Sequence, residues 1–164
     1  MAQEIERKFL VRDEGWRAAA ERREAYAQGY LAGTPRASVR VRVAAGRAWL
    51  NIKSATLGIE RQEYEYEIPE PEGRALLALC EPGLIEKQRH FVPYGGLMWE
   101  VDEFGGANAG LVVAEVELDS VDQPFERPPW LGEEVSQDPR YYNVLLARQP
   151  YRTWPEVMAR QPAD

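Results

Sequence analysis

Charged residues recur at every second position in one segment after another of this sequence. In the first of these segments, Glu4, Glu6 and Lys8 alternate with Ile5 and Arg7. Side chains two positions apart lie on the same face of a β-strand, so this period predicts strands with one strongly polar face. The eight predicted strands span residues 3–10, 26–31, 37–43, 48–54, 60–68, 84–92, 97–104 and 111–119.

Turn-forming residues and short helical signals separate these strands. Residues 44–47, 56–58 and 93–96 contain glycines typical of hairpin turns. Helices are predicted at 13–24, at 71–81, from Asp138 through Leu146, and after Pro155. The expected fold is therefore mostly β with peripheral helices, and its eight antiparallel strands can close into a barrel without free edges. The opposite strand faces, rich in Val, Leu, Ile and Tyr, are expected to pack against the helices outside.

Length and composition limit the class of protein. The 164 residues favour a single domain over 1–164, with a barrel at about 2–120 and a helical region at about 133–164. The single cysteine, Cys80, excludes an internal disulfide, and no Cys/His cluster has zinc-ligand spacing. The net charge of −7 disfavours nucleic acid and anionic membranes as partners. The N-terminus has no apolar signal-peptide region, and no apolar stretch is long enough to span a membrane. A cytoplasmic location is expected, and the oligomeric state stays open, with a homodimer as one possibility.

The charges of one sign cluster on individual strands. Arg40 and Arg42 share one face, and so do Glu115 and Glu117. For any single strand, a solvent-exposed polar face is the simplest interpretation. Neighbouring like charges repel, however, so an ordinary solvated sheet gains nothing from concentrating them. Such clustering is favourable in an interior that binds a polyanion together with a metal ion, because carboxylates bind hard divalent cations and Arg and Lys bind phosphate.

The order of these clusters resembles that of a known family. The segment from Glu4 to Lys8 resembles the N-terminal Glu-x-Glu-x-Lys signature of the CYTH superfamily, the triphosphate tunnel metalloenzymes. The resemblance covers roughly residues 2–150 and implies a tunnel of eight antiparallel strands that binds triphosphate with Mg²⁺ or Mn²⁺. The later clusters that follow the family order are Arg40-Val41-Arg42, Lys53, Glu63-Tyr64-Glu65, Lys87-Gln88-Arg89, Glu100-Val101-Asp102 and Glu115-Val116-Glu117.

The resemblance also implies roles for individual residues. Glu4, Glu6 and Lys8 are the candidate catalytic residues that organise the attacking water. The implied phosphate-binding residues are Lys8, Arg40, Arg42, Lys53, Lys87 and Arg89. The implied metal-binding set is Glu4, Glu6, Glu63, Glu65, Asp102, Glu115 and Glu117. For Glu63 and Glu65 the alternative is to hold basic residues in place by ion pairs, and for Glu100 it is a structural role.

The activity implied by the resemblance is metal-dependent hydrolysis of inorganic triphosphate (tripolyphosphate) to pyrophosphate and orthophosphate. The alternatives on the same barrel are a class IV adenylate cyclase, a thiamine triphosphatase and a nucleoside triphosphatase. A polyphosphate-binding module without turnover is the non-enzymatic alternative. The segment 133–148 is similar to a plug that closes one end of the tunnel, which makes Tyr141 and Asn143 candidate site residues, although a surface-packed helix is an equal alternative. His90 is expected on the strand face opposite Arg89, outside the site.

Overall fold

The computed structural model describes residues 3–80 and 83–160, and β-strands are the main regular structure of this part of the chain. The strands are β1 (Gln3–Val11), β2 (Arg22–Gly33), β3 (Ala37–Ala44), β4 (Arg47–Ser54), β5 (Glu60–Ile68), β6 (Ile85–Tyr94), β7 (Leu97–Phe104), β8 (Val112–Glu117) and β9 (Leu131–Glu134). The helices are α1 (Gly15–Ala19), α2 (Glu70–Leu77), α3 (Asn143–Arg148) and α4 (Pro155–Met158), with 3₁₀ turns at Gly106–Asn108, Pro139–Tyr141 and Tyr151–Thr153. Among the described residues, no helix has the length and apolar character needed to cross a membrane.

The first eight strands close into an antiparallel barrel, as predicted. Their order is β5-β4-β3-β2-β6-β7-β8-β1, and β1 returns to pair with β5. The order differs from a succession of hairpins, because β2 lies between β3 and β6 and β1 lies between β8 and β5. The sequence pattern did not predict the short strand β9. It pairs with β1 through Phe9 and Glu134, on the edge of β1 that also pairs with β5.

Two predicted hairpin turns require backbone conformations that favour glycine. The β3–β4 turn has positive φ at Ala45 (51°) and Gly46 (74°), and the β6–β7 turn has it at Gly95 (60°) and Gly96 (77°). Such pairs are typical of type I′ turns, whose twist matches that of the flanking strands. Both turns keep the paired strands in register, and this register determines which side chains face the interior.

Three predicted helices differ from the structure in extent. The helix predicted at 13–24 is wrong beyond Ala19, because residues 22–24 already belong to β2, where Arg22 pairs with Phe91 of β6. The helix predicted at 71–81 is α2, which ends at Leu77, and residue 81 lies outside the described residues. The helix predicted to follow Asp138 is interrupted at Tyr142, whose extended backbone (ψ 136°) separates a 3₁₀ turn from α3. The short helix predicted after Pro155 is confirmed as α4.

A hydrophobic core covers one side of the barrel from outside. Outward residues of β1 and β6–β8 pack around Trp99, with Trp16 of α1 and Trp130 of the segment before β9. On this side the expectation that outer strand faces are covered is confirmed. It is wrong for β5, whose outward Tyr64 and Tyr66 are 43% and 56% exposed.

A second hydrophobic cluster closes one end of the barrel interior. At this end the inward positions change from charged to apolar, with Leu10 following Lys8 and Val113 preceding Glu115. Leu146 of α3 is fully buried in this cluster, which is completed by Tyr30, Ile85, Phe104, Leu111, Ala147, Trp154 and Val157. The C-terminal helices therefore plug the barrel and leave a charged chamber behind the plug.

Candidate active site

A cavity of about 270 Å³ occupies the charged part of the barrel interior. All of the predicted catalytic, phosphate-binding and metal-binding residues line it except Asp102, which is fully buried beneath the wall. The lining residues are Glu4, Glu6, Lys8, Tyr26, Arg40, Arg42, Lys53, Glu63, Glu65, Lys87, Arg89, Phe91, Glu100, Glu115, Glu117 and Asn143.

Cross-strand register brings these residues onto one surface. Directly paired residues of antiparallel strands point to the same side. Lys53 of β4 pairs with Glu63 of β5, and Lys8 of β1 pairs with Glu115 of β8. Arg89 of β6 likewise pairs with Asp102 of β7. In these three pairs, the inward residues of neighbouring strands therefore carry opposite charges and lie directly beside each other.

Two lysines on the acidic side are held by carboxylates. Lys8 Nζ lies 2.9 Å from Glu6 Oε1 and 2.8 Å from Glu115 Oε1. Lys53 Nζ lies 3.1 Å from Glu4 Oε2 and 3.2 Å from a Glu63 oxygen. Burial alone would lower the pKa of Lys8, but the charges of Glu115 and Glu6 outweigh it and raise that pKa. Lys8 therefore keeps its positive charge beside the carboxylates.

Asp102 is a buried counter-ion of two cations. The Arg89 fork donates to its carboxylate at 2.8 and 2.9 Å, and Lys87 Nζ lies 2.8 Å from Asp102 Oδ2. Burial would raise the pKa of Asp102, but Arg89 and Lys87 outweigh it and lower that pKa. This position favours fixing Lys87 and Arg89 over binding a metal ion from the cavity.

The guanidinium of Arg40 has no carboxylate partner among the described residues. It is 7% exposed, and its Nε is buried without a hydrogen-bond acceptor. Its neighbour Arg42 has one contact, at 3.3 Å from Glu65 Oε2, and its own Nε is also buried and unpaired. Burial and then the charges of Arg40 and Arg89 lower the pKa of Arg42. Because an uncompensated buried charge is costly, this pair of arginines is suited to an anionic ligand.

Three carboxylates form the complementary cluster. Glu6 lies directly opposite Glu117 in the β1–β8 pairing, and Glu4 is two residues from Glu6 on the same face. Burial is the main cause that raises the pKa of all three. Neighbouring carboxylates add to it, with Glu63 acting on Glu4, Glu115 and Glu4 on Glu6, and Glu4 and Glu6 on Glu117. Within residues 3–80 and 83–160, no three acidic, His or Cys groups already converge around a metal position. Lys53 and Lys8 compensate only part of the charge of Glu4 and Glu6, and this donor set of oxygen atoms fits a hard divalent cation such as Mg²⁺.

Comparisons with known proteins agree with this geometry. The CYTH domain family model matches residues 2–142. The chain belongs to the CYTH family. An inorganic triphosphatase from Acetivibrio thermocellus is 45% identical over 157 residues, which cover 95% of this chain and 100% of that protein. An inorganic triphosphatase from Nitrosomonas europaea is 41% identical over 152 residues, covering 88% of this chain and 96% of that protein. A solved structure of an inorganic triphosphatase is 36% identical, covers 90% of this chain and 95% of its own, and has a TM-score of 0.65.

The plug of this CYTH barrel contributes one residue to the cavity. Asn143, the first residue of α3, accepts hydrogen bonds at Oδ1 from Lys87 Nζ and Gln28 Nε2, both at 3.1 Å. Tyr141 instead packs edge-on against Trp154 with ring centroids 5.2 Å apart. Of the two residues that the sequence suggested here, only Asn143 reaches the tunnel.

Tyr142 anchors the plug, although the sequence did not single it out. Its hydroxyl donates to the Ser136 carbonyl at 2.6 Å and accepts from the Gly58 backbone N–H at 3.1 Å. The Arg61 guanidinium lies 5.0 Å from the centre of its ring. Tyr142 thus links the start of α3 to the β4–β5 loop.

Further lining residues could have been found from the same period of two. Phe91 follows Arg89 by two residues, and Tyr26 precedes the inward Gln28 by two. Both line the cavity. The expectation for His90 is confirmed, because its ring packs on Trp16 outside the barrel with centroids 4.8 Å apart.

The carboxylates with raised pKa values predict an unusual pH dependence of stability for the metal-free protein. Burial raises the pKa of Glu100 to about 7, and the pKa values of Glu4, Glu6 and Glu117 are raised as well. Such groups stabilise the fold while protonated, and this contribution is lost as the pH rises through their folded-state pKa. We expect the melting temperature in chelator to fall between about pH 5 and about pH 8.

The matched variant Glu117→Gln should weaken that pH dependence, since one repelled carboxylate becomes neutral. The pKa values of Asp102 and Glu115 are lowered by their cationic neighbours despite burial, so their stabilising contribution is lost only at more acidic pH. Thermal denaturation followed by circular dichroism checks both expectations. A melting temperature that rises over the same interval would contradict this account of the electrostatics.

Proposed function

We propose that this CYTH protein hydrolyses inorganic triphosphate to pyrophosphate and orthophosphate with the help of a divalent cation. The observation that carries the proposal is the cavity itself, in which Arg40 and Arg42, whose Nε atoms have no acceptor among the described residues, line one interior with the carboxylates of Glu4, Glu6 and Glu117. A phosphate chain with a bound cation would satisfy both groups at once. The names of the two relatives above 40% identity support the same substrate.

The basic residues would hold the phosphate chain. Phosphoryl transfer depends mainly on positioning and on neutralising charge, and arginine forks suit phosphate oxygens. Arg40 and Arg42 are available because the protein itself leaves them undercompensated. The remaining members of this set are Lys8, Lys53, Lys87 and Arg89.

The carboxylates divide into two roles under this proposal. Glu4, Glu6 and Glu117 would hold Mg²⁺ or Mn²⁺, which when bound lowers the pKa of a water molecule and neutralises phosphate charge. The others would position basic residues, with Glu115 on Lys8, Glu63 on Lys53 and Glu65 on Arg42. Asp102, which the resemblance places in the metal set, serves as the counter-ion of Lys87 and Arg89 in this proposal.

The attacking water would be activated by the chain's own carboxylates. Glu4 and Glu6 both line the cavity, so either carboxylate could accept the proton of the attacking water. Lys8 lies 2.9 Å from Glu6 and remains charged, so it can stabilise the negative charge that develops during attack. We assign the proton acceptor to Glu6 and the electrostatic role to Lys8.

A substrate panel tests the proposal against the cyclase and nucleoside triphosphatase alternatives. With Mg²⁺, we expect tripolyphosphate to be turned over with a higher kcat/KM than ATP and to yield equal amounts of orthophosphate and pyrophosphate. A cyclase must also hold a nucleoside with its 3′ oxygen in line, and the plug narrows the interior at one end. Ion chromatography with a parallel cyclic AMP assay distinguishes these reactions. Cyclic AMP formed in step with pyrophosphate would establish the cyclase instead.

The proposed metal ligands give a separate prediction. Glu117→Gln should raise the Mg²⁺ concentration for half-maximal rate by about tenfold or more, because even outer partners of metal ligands contribute 10- to 100-fold. The control is Glu67→Gln on the rim, where Glu67 pairs with the exposed Arg47. Rates measured across a Mg²⁺ titration check the difference. Equal Mg²⁺ requirements in both variants would remove Glu117 from the metal site.

A further inference from the structure

We infer that Asn143 binds the substrate directly, with its side-chain NH₂ group donating to a phosphate oxygen at the plugged end of the tunnel. This inference rests on the proposed function for the identity of the ligand. It adds a neutral hydrogen-bond donor from the C-terminal plug to a site otherwise built from charged strand residues.

The orientation of the Asn143 amide follows from its partners. A lysine ammonium has donors and no acceptor, so the amide atom 3.1 Å from Lys87 Nζ has to be the oxygen. The Gln28 amide donates to the same oxygen at 3.1 Å. A flipped amide would lose both bonds and direct its own N–H groups at the lysine. The oxygen is therefore fixed on the side of Lys87 and Gln28.

The NH₂ group of Asn143 is consequently directed away from this pair. Asn143 lines the charged cavity, and within the described part of the chain its Nδ2 makes no hydrogen bond. The ammonium of Lys87 is also incompletely used, because Asp102 and Asn143 take two of its three N–H groups. The NH₂ group of Asn143 is thus available to an anionic group in the cavity that Asn143 and Lys87 both line.

Neighbouring residues hold the Asn143 side chain in one position. Gln28 is fully buried, so its contact with Asn143 is shielded from water, and the Tyr142 hydroxyl bonds anchor the preceding residue. A donor held in this way loses little conformational freedom when it binds a ligand. The alternative is that Asn143 only accepts from Lys87 and orients it without touching substrate.

Two substitutions separate these roles. Asn143→Ala removes donor and acceptor, and we expect the Kd for tripolyphosphate to rise about tenfold or more, as for loss of a hydrogen bond to a charged group. Asn143→Asp keeps an oxygen for Lys87 but places a negative charge where the NH₂ group was. If the NH₂ group contacts phosphate, the aspartate variant should bind more weakly than the alanine variant, since like charges then meet. If Asn143 only orients Lys87, the aspartate variant should bind at least as tightly as the alanine variant, because its carboxylate still holds Lys87 in place.

The measurements are calorimetric titration with tripolyphosphate in chelator and steady-state kinetics with Mg²⁺, on full-length protein. Tyr141→Leu is the matched control, because Tyr141 packs on Trp154 of the same plug and does not line the cavity; this variant should lower the melting temperature while leaving Kd and KM unchanged. Binding by Asn143→Asp that is at least as tight as binding by Asn143→Ala overturns the inference while wild-type turnover leaves the proposed function intact. Weaker binding by both variants, and weakest by Asn143→Asp, without wild-type turnover supports the inference and rejects the hydrolase. No binding by the wild type in chelator together with no turnover in the presence of Mg²⁺ rejects both.

Discussion

Replacing Arg89 with methionine is expected to lower the free energy of unfolding by about 3–5 kcal/mol, the usual cost of removing one partner of a buried ion pair. Arg89 donates two hydrogen bonds to the fully buried Asp102 and contacts Glu100. It also lies 3.6 Å from Glu115. Without the guanidinium these carboxylates remain buried, and Lys87 becomes the main cation that balances the negative charge of Asp102.

Denaturant unfolding monitored by fluorescence measures this loss. The control is the double variant Arg89→Met with Asp102→Asn, which removes the counter-ion together with the cation. It should recover most of the stability, because a buried pair replaced as a whole is often neutral. Its activity should remain low, because Lys87 loses its fixed position as well. A single variant as stable as the wild type would show that Arg89 is not the main compensation for these carboxylates.

Arg40→Met is expected to have the opposite combination of effects. Arg40 is buried as well, but it has no carboxylate partner in the described part of the chain, and it repels Arg42. Its removal should leave the free energy of unfolding unchanged or raise it. The kcat/KM for tripolyphosphate should fall by about 10- to 150-fold, corresponding to the loss of about 1.5–3 kcal/mol from hydrogen bonds to a charged group.

The comparison that checks this prediction uses Arg47→Met, which removes an exposed cation paired with Glu67 on the same side of β4. That control should change neither stability nor kcat/KM appreciably, because exposed ion pairs contribute little. Kinetics and denaturant unfolding on the three proteins separate ligand binding from folding. A loss of stability in Arg40→Met comparable to that of Arg89→Met would show that Arg40 has a structural partner and is not reserved for substrate.

The strands and their inward residues were predictable because alternation is a local property. Side chains at every second position share a face whatever the rest of the chain does, so Arg40 and Arg42 could be assigned together from three residues. The glycines of the tight turns were equally local. The helix predicted at 13–24 was wrong beyond Ala19, because pairing of β2 with β6 from Arg22 onward overrode the helical composition of residues 22–24.

Some chemically similar residues lie in different environments, and the local sequence pattern does not distinguish them. Asp102 and Glu117 are both inward carboxylates, yet Asp102 is sealed beneath Lys87 and Arg89 while Glu117 faces Glu6. The adjacent Tyr141 and Tyr142 also diverge, because the helix is interrupted between the 3₁₀ turn and α3. The first packs on Trp154, and the second bridges Gly58 and Ser136.

By itself, the sequence determined that this protein has strands with ionic inner faces, which residues share each face, and which family its order of charges resembles. Only the tertiary structure decided which charge meets which. Lys53 reaches Glu4, and Lys8 reaches Glu115, across 49 and 107 positions of sequence. Those pairs depend on the interstrand register and on the closure of β1 onto β5, which are set by packing and hydrogen bonding of the whole barrel. The same closure leaves Arg40 unpaired, because it brings no carboxylate of the described residues within reach of this guanidinium.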